Sequence, residues 1–233
     1  MPSTANPLGC PDVQAIMRHT PERPLSERLL WSQVVAALIA LASVGLTGEQ
    51  TTRREPIVGG PCDGCEAVFE GMPAQLASVG RIAPQDERGD AMRISGVVRD
   101  GQGRPVAGVI VYAYQTDAGG IYPKATTRHG RLRGWTRTDA AGNYRFDTIR
   151  PGGYPGTTIP QHVHMHVIEP GRATYYIDEM VFTDDPRLTP EQRKSHSAGR
   201  GGNGVVTPKR DTAGTWLVTR DIVLGQAIPG YPR

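Results

Sequence analysis

Cysteine is scarce in this chain, 3 residues in 233, and the scarcity excludes most of what cysteine does. A zinc knuckle needs a second C-x-x-C pair beside Cys62 and Cys65, and the sequence has none. A thioredoxin-like redox site needs a βαβ pattern around the pair, and none follows. Cys10 lies upstream of a hydrophobic run. That leaves Cys62 and Cys65, in "GGPCDGCEAVFEG", as an even pair and a candidate structural disulfide pinning an N-terminal arm. An excess of one charge is missing too: a net +3, dispersed along the chain, is too little for nucleic-acid binding. The basic stretch "RHGRLRGWTR" (128–137) reads as a solvated loop and strand edge. Glycine (29) and proline (20) form no low-complexity tract, and the segments between them are rich in Val, Ile, Thr and Tyr. That composition excludes disorder and points to short strands joined by tight turns.

Long hydrophobic runs are absent but for one. "LLWSQVVAALIALASVGL" (29–46) contains no charge and follows Arg18, Arg23 and Arg28. Its length is at the lower limit for a bilayer span, and basic residues before such a run orient it for export. It predicts a cleaved signal peptide, with "ALA" (40–42) or the small residues up to Gly48 as cleavage sites, or an uncleaved membrane anchor. A buried core helix is the plainer alternative. The leader is long for a signal, and Met17 offers a second start with an ordinary charged n-region. The expected organisation is a signal peptide or anchor over 1–48, an arm or linker over 49–90, a folded domain over 91–226 and a tail over 227–233. The expected location is periplasmic or extracellular, with the membrane touched only through the N-terminal segment.

No long amphipathic helix pattern occurs after that run. Residues 47–90 have no sustained period and end in the polar "PQDERGD". Regular alternation then begins. Strands are expected at 93–98, 106–115, 134–138 and 144–149, along the segment from 159 to 167, and at 174–182 and 215–224, separated by Asp-Gly, Asn and Pro-Gly turns. The long connection 183–214 contains "GRGGNG". It lacks the strand lead-in and the Lys-Ser/Thr helix start of a phosphate loop and reads as a mobile surface loop. The fold class is all-β: a β-sandwich of short strands with long connecting loops, preceded by the export segment and the irregular arm.

Histidine is nearly as rare as cysteine, yet three of the 6 stand at alternate positions in "IPQHVHMHV" (159–167). On a strand, His162, His164 and His166 share one face, with successive side chains roughly 7 Å apart. Neighbouring imidazoles at that spacing reach one metal ion, while Val163, Met165 and Val167 turn to the core. A half-buried strand with histidines by chance is the bland alternative. Carboxylates nearby are few: Glu169 is in the opposite phase, and Asp178 and Glu179 lie on the next strand. A three-histidine zinc or copper site is one option. The other adds tyrosine, from Tyr122 at the end of "TDAGGIYP" and Tyr154 in "RPGGYPG". A phenol with a pKa near 10 gives up its proton only to a strongly acidic metal, which favours ferric iron over zinc.

Taken together, "SGVVRDGQGRPVAGVIVYAYQTDAGGIYP", "RGWTRTDAAGNYRFDTIRPGGYP" and "PQHVHMHV" resemble the intradiol ring-cleavage dioxygenases, the protocatechuate and catechol dioxygenase family. The resemblance spans residues 93 to 185, and "TRDIVL" looks like the family's last strand. It implies Fe(3+) held by Tyr122, Tyr154, His162 and His164, with Tyr154 as the axial ligand that leaves and takes a substrate proton. It also implies a small aromatic diol and O2 as substrates, opened between the hydroxylated carbons to a muconate-type diacid, and it is compatible with a homodimer. Several positions depart from the pattern. Ile159-Pro160 stands where the family commonly has Arg-Pro, Glu179 where it has a glutamine, and Tyr114 where a tryptophan is expected. A lost cation and a gained anion predict weaker binding of carboxylated diols. His166 is an additional histidine, and Arg133 in "RGW" is a candidate substitute for the missing arginine.

The turns "ISGVVRDGQGRPVAGVIVYAY" and "TRTDAAGNYRFDTIRPGGY" also resemble the carboxypeptidase regulatory-like modules of cell-surface proteins, because those turns build the sandwich and not the site. A non-catalytic exported module with a vestigial or repurposed metal site is therefore the alternative function. Tyr122, His162 and His164 lie outside that shared part and favour the metalloenzyme.

Overall fold

Segments of Val, Ile and Tyr, cut by glycine turns, pair into two sheets. The computed structural model describes residues 55–62 and 64–233. Cys10, Met17 and the apolar run read as a leader lie outside the described residues. The strands are β1 (Val79–Arg81), β2 (Ala91–Arg99), β3 (Ile110–Tyr114), β4 (Arg133–Arg137), β5 (Asn143–Ile149), β6 (His162–Glu169), β7 (Ala173–Phe182), β8 (Val205–Val206), β9 (Lys209–Arg210), β10 (Trp216–Thr219) and β11 (Ile222–Val223). A helix, α1 (Pro190–Ser197), lies between β7 and β8. One sheet has the order β1-β5-β2-β10-β9, with β11 also on β2, and the other β4-β3-β6-β7-β8. The architecture is the all-β sandwich. Among the described residues no helix is long and apolar enough to cross a membrane.

Period-two alternation explains how each strand divides its side chains. Ile94, Val98 and Phe146 of the first sheet meet Val111, Ala113, Val163, Met165, Val167, Tyr175 and Ile177 of the second in one buried core. The opposite face of the second sheet carries Ile110, Tyr112, Ile168 and the histidines. Val68 packs there with Ile110, Tyr112 and Ile168, and Phe69, Met72 and Leu76 flank the cluster. A short 3-10 helix (Cys65–Phe69) supplies Val68, and the Trp135 indole N–H donates to the Val68 carbonyl at 2.7 Å. Residues without a readable period thus cover an outer face that would otherwise expose aromatics. Likewise β1, from the same segment, pairs in parallel with β5.

Two expectations need correction. The strand read over 215–224 is two strands, broken at Arg220. Its side chain is fully buried and donates to the carbonyls of Gly201 and Asp221 at 3.2 and 2.8 Å. A buried guanidinium must find acceptors, and turning the chain to reach them interrupts the ladder. The connection 183–214, read as a loop, carries a helix and two short strands. Thr189 caps α1 by accepting from the Gln192 amide, while Gln192 accepts from the Thr189 amide. Within "GRGGNG", the Gly201 amide donates to Gln226 and the Gly204 amide to the His196 carbonyl.

Glycines set the two tyrosine turns against each other. A Cβ on Gly152 would collide with the backbone of Gly120 and Ala118, and one on Gly120, at φ +81°, with the Gly153 carbonyl. The Gly152 amide donates to the Asp117 carbonyl at 2.8 Å. "DAGG" and "PGG" therefore approach backbone to backbone, which only glycine permits. Gly152→Ala should cost about 1–3 kcal/mol through overpacking, read as a lower urea midpoint. Gly101→Ala, with nothing within 4 Å of the added atom, should leave the midpoint unchanged.

Candidate metal centre

The glycine turns after β3 and β5 deliver Tyr122 and Tyr154 to the start of β6. Tyr122 Oη lies 2.9 Å from Tyr154 Oη, Tyr154 Oη 3.2 Å from His162 Nε2, and His162 Nε2 3.1 Å from His164 Nε2. Four donor atoms converge. The two imidazoles are held by their other nitrogens. His162 Nδ1 is 2.8 Å from the Pro160 carbonyl, which can only accept, so that nitrogen carries the proton. His164 Nδ1 faces the Glu179 carboxylate at 3.5 Å. Burial, reinforced by His164, pushes the His162 pKa down, so this ring is neutral. His162 Nε2 therefore presents a lone pair toward His164 Nε2 and the Tyr154 hydroxyl. This is the arrangement of histidines that ligate a metal, with the distal N–H fixed by a carbonyl or carboxylate.

Glu179 reaches this face through an irregularity. Val163 is paired with Met180 and Met165 with Ile177, so two residues of β7, Asp178 and Glu179, stand opposite His164 alone. A bulge of this kind re-aims a side chain. Glu179 also lies 3.5 Å from His196 Nε2 on α1, and its carboxyl is held well below the usual range by His164 first and His196 second. His196 Nδ1 donates to the Gln192 carbonyl at 2.8 Å, and Glu179 raises the His196 pKa. With an acceptor at each nitrogen, His196 is the cation that matches Glu179.

The other residues named from the sequence fall around this centre. The Tyr114 ring stacks on His164 at 4.5 Å and on His129 at 3.9 Å. His166 is buried and sits with Nδ1 3.9 Å from Cys65 Sγ rather than among the four donors. Cys62 and Cys65 are joined as a disulfide. Arg133 lies over the Trp135 ring at 5.1 Å and lines neither cleft at the centre. Sequence reading missed His129, His196 and Arg187. His129 was hidden in a basic stretch, although it is buried and paired with Tyr112 Oη at 2.9 Å. The "TPEQ" capping box is the signal that could have found the helix of His196, which was read as part of a loop, but nothing local points to its partner. Arg187 approaches the missing-arginine position, where its guanidinium is committed to the carbonyls of Tyr154 and Ile159 at 3.3 and 3.5 Å.

Two clefts flank His164 and Glu179. One, of about 300 Å³, is lined by Tyr154, Ile159, Pro160, His162, Val181 and His196 among others. The second, of about 230 Å³, includes Cys62, Tyr114, His166 and Tyr176.

A family model described as Dioxygenase matches residues 69–211, more than half of the chain and all four converging residues. The chain belongs to the intradiol ring-cleavage dioxygenase family. The beta chain of protocatechuate 3,4-dioxygenase from Burkholderia cepacia is 31% identical over 112 residues, covering 43% of this chain and 48% of that one. Catechol 1,2-dioxygenase of Candida albicans is 31% identical over 100 residues, covering 35% and 33%. The aligned part thus spans half or less of these curated relatives. Among solved structures, hydroxyquinol 1,2-dioxygenase from Pseudomonas putida superposes with a TM-score of 0.51 at 25% identity, over 84% of this chain and 74% of that one. The dioxygenase domain of a carbohydrate-binding fusion from Streptomyces gives 0.52 at 25% identity, over 67% and 94%.

Acid should loosen this intradiol dioxygenase-family fold around its site. Burial, then His164, pushes His129 from an ordinary 6.5 down to about 4. The unfolded chain takes up that proton below 6.5 and the folded chain only near 4. The stability is therefore fully present above pH 6.5 and is lost as pH falls toward 4, by a few kcal/mol at most. His129→Gln should flatten the fall in urea midpoint between pH 6.5 and 4; an unchanged slope would remove His129 from the account.

Proposed function

We propose that this chain is a non-haem Fe(III) dioxygenase that opens a catechol-type ring between its two hydroxylated carbons with O2, giving a muconate-type diacid. The observation carrying this reading is the convergence of two imidazole Nε2 atoms, 3.1 Å apart, with two phenol oxygens. Two imidazole nitrogens and two phenol oxygens converging on one point make a donor set for a single metal ion. Burial and the Tyr154 hydroxyl push the Tyr122 pKa above the ordinary phenol value, so its proton leaves only for a strongly acidic ion, which fits ferric iron. Tyr122, Tyr154, His162 and His164 would hold it. When bound, the iron would supply Lewis acidity and electron-accepting capacity to the diol and O2.

The residues define the remaining tasks. Tyr154 borders the 300 Å³ cleft, and its oxygen is the base that receives a diol proton. Pro160 and Glu179 keep the two imidazoles aimed. Ile159, Pro160 and Val181 offer apolar surface to one aromatic ring, and among the described residues no lysine or arginine lines this cleft. We read the substrate as an uncarboxylated diol. We also propose export, on the strength of the apolar run at 29–46 preceded by arginines.

The purified, iron-reconstituted chain should be red-brown from a tyrosinate charge-transfer band that shifts on anaerobic addition of catechol. Tyr154→Phe should move the band and lower kcat by about a hundredfold or more. A protein that stays colourless with iron bound would sink the proposal. On substrate choice, kcat/KM for catechol should exceed that for protocatechuate by about tenfold or more, roughly 1.4 kcal/mol. The reverse order would mean that a cation outside the cleft reaches the carboxylate.

A further inference from the structure

Cys62 and Cys65 precede the residues matched by the dioxygenase family model, and ring cleavage gives them no task. Cys65 is buried at the start of the 3-10 helix. Both sulfurs lie against His166 on β6. Cys65 Sγ is 3.9 Å from His166 Nδ1, and the two sulfurs and an imidazole nitrogen all fall within 4.8 Å of one another. A tetrahedral zinc ion with Zn–S near 2.3 Å and Zn–N near 2.0 Å sets neighbouring ligand atoms roughly 3.5–3.8 Å apart. The sulfur–nitrogen spacing is already close to that. The sulfurs have only to part.

We propose that the reduced pair Cys62 and Cys65, together with His166, forms a second metal site, for a thiophilic divalent cation such as Zn2+. The route in is the cleft of about 230 Å³ that Cys62 and His166 line with Pro61 and Tyr176, and it leaves room for water as a fourth ligand. The chemistry balances in two steps. A dithiol reductant gives two electrons and two protons to the disulfide, which becomes two thiols while the reductant becomes its own disulfide. The cation then displaces one proton from each thiol and binds both thiolates and the neutral imidazole. His166 is fixed by its strand and Cys65 by a 3-10 helix docked on the same sheet face, while Cys62 lies three residues before Cys65, so two ligands are placed before the ion arrives and the third is tethered beside them. This site is independent of the ring-cleavage reading and stands or falls separately from it.

The test uses the full chain, iron-loaded, in oxidised and phosphine-reduced forms, titrated with Co2+ as the probe. The reduced chain should develop thiolate-to-cobalt charge transfer in the near ultraviolet, with intense tetrahedral d–d bands, saturating at one equivalent and bleached by Zn2+. The oxidised chain should show neither. Cys65→Ser should abolish the thiolate bands. Cys62→Ser, at a less buried position, repeats that test if the first variant misfolds. His166→Gln should weaken Co2+ binding about tenfold or more, while His162→Gln, in the other centre, should leave the bands unchanged. A reduced wild-type chain without thiolate bands would overturn the proposal, as would unchanged affinity in a folded His166→Gln.

Discussion

Two imidazoles are held with their Nε2 atoms 3.1 Å apart, and much of this molecule is arranged to keep them there. The Pro160 carbonyl takes the proton side of one ring and Glu179 that of the other. Neither ring can turn away without stranding an N–H beside an acceptor already placed for it. Below the rings, Val163, Met165 and Val167 anchor β6 in a core with no slack. A one-residue slip would turn every histidine inward. The fold thus fixes two nitrogen donors on one point of the sheet face.

The phenols join that arrangement through backbone contact. Tyr122 and Tyr154 are separated by 32 residues, yet their hydroxyls are 2.9 Å apart. The turns that carry them touch at glycines, where side chains would hold the two segments apart. The shared turn "RPGGY" therefore also builds the site, through Tyr154, contrary to the expectation that such turns build the sandwich alone. This is why the motifs of a plain β-sandwich module overlap so far with those of this chain. Tyr122 and the histidine strand separate the two readings, because their donors join Tyr154 from outside the shared motifs.

What the sequence made legible follows the strength of local rules. Alternation marked β2, β5, β6 and β7 and both faces of β6, because period two is a property of the strand itself. The tyrosine and histidine motifs were legible because their spacing is local. Glu179 was visible as a residue but its direction was not: a bulge depends on pairing with β6, and phase counting along β7 cannot detect it. His196 and His129 arrive from α1 and from a loop, through tertiary packing alone. The same holds for Arg220, whose buried guanidinium splits a strand that hydrophobicity draws as continuous. Residues 65–81 have no period because they serve two surfaces in turn, first the outer face of one sheet and then the edge of the other.

The departures from the family pattern look different once charge is counted in place. Read along the chain, Ile159 removes a cation and Glu179 adds an anion, which would leave the cleft negative. In the structure Glu179 is met by His196, whose nitrogens both face acceptors and whose pKa is raised for that reason. The carboxylate and the imidazolium form a pair close to neutral, and the guanidinium of Arg187 is turned to backbone carbonyls behind Tyr154. The cleft thereby exchanges a free cation for an internally satisfied pair and an isoleucine. A satisfied pair gives a charged ligand nothing to bind, whereas Ile159, Pro160 and Val181 give an uncharged ring a surface. On the proposed reading, selectivity would rest on the want of an unpaired charge among the described lining residues rather than on the presence of a negative one, and the Glu179–His196 pair keeps the His164 ring oriented.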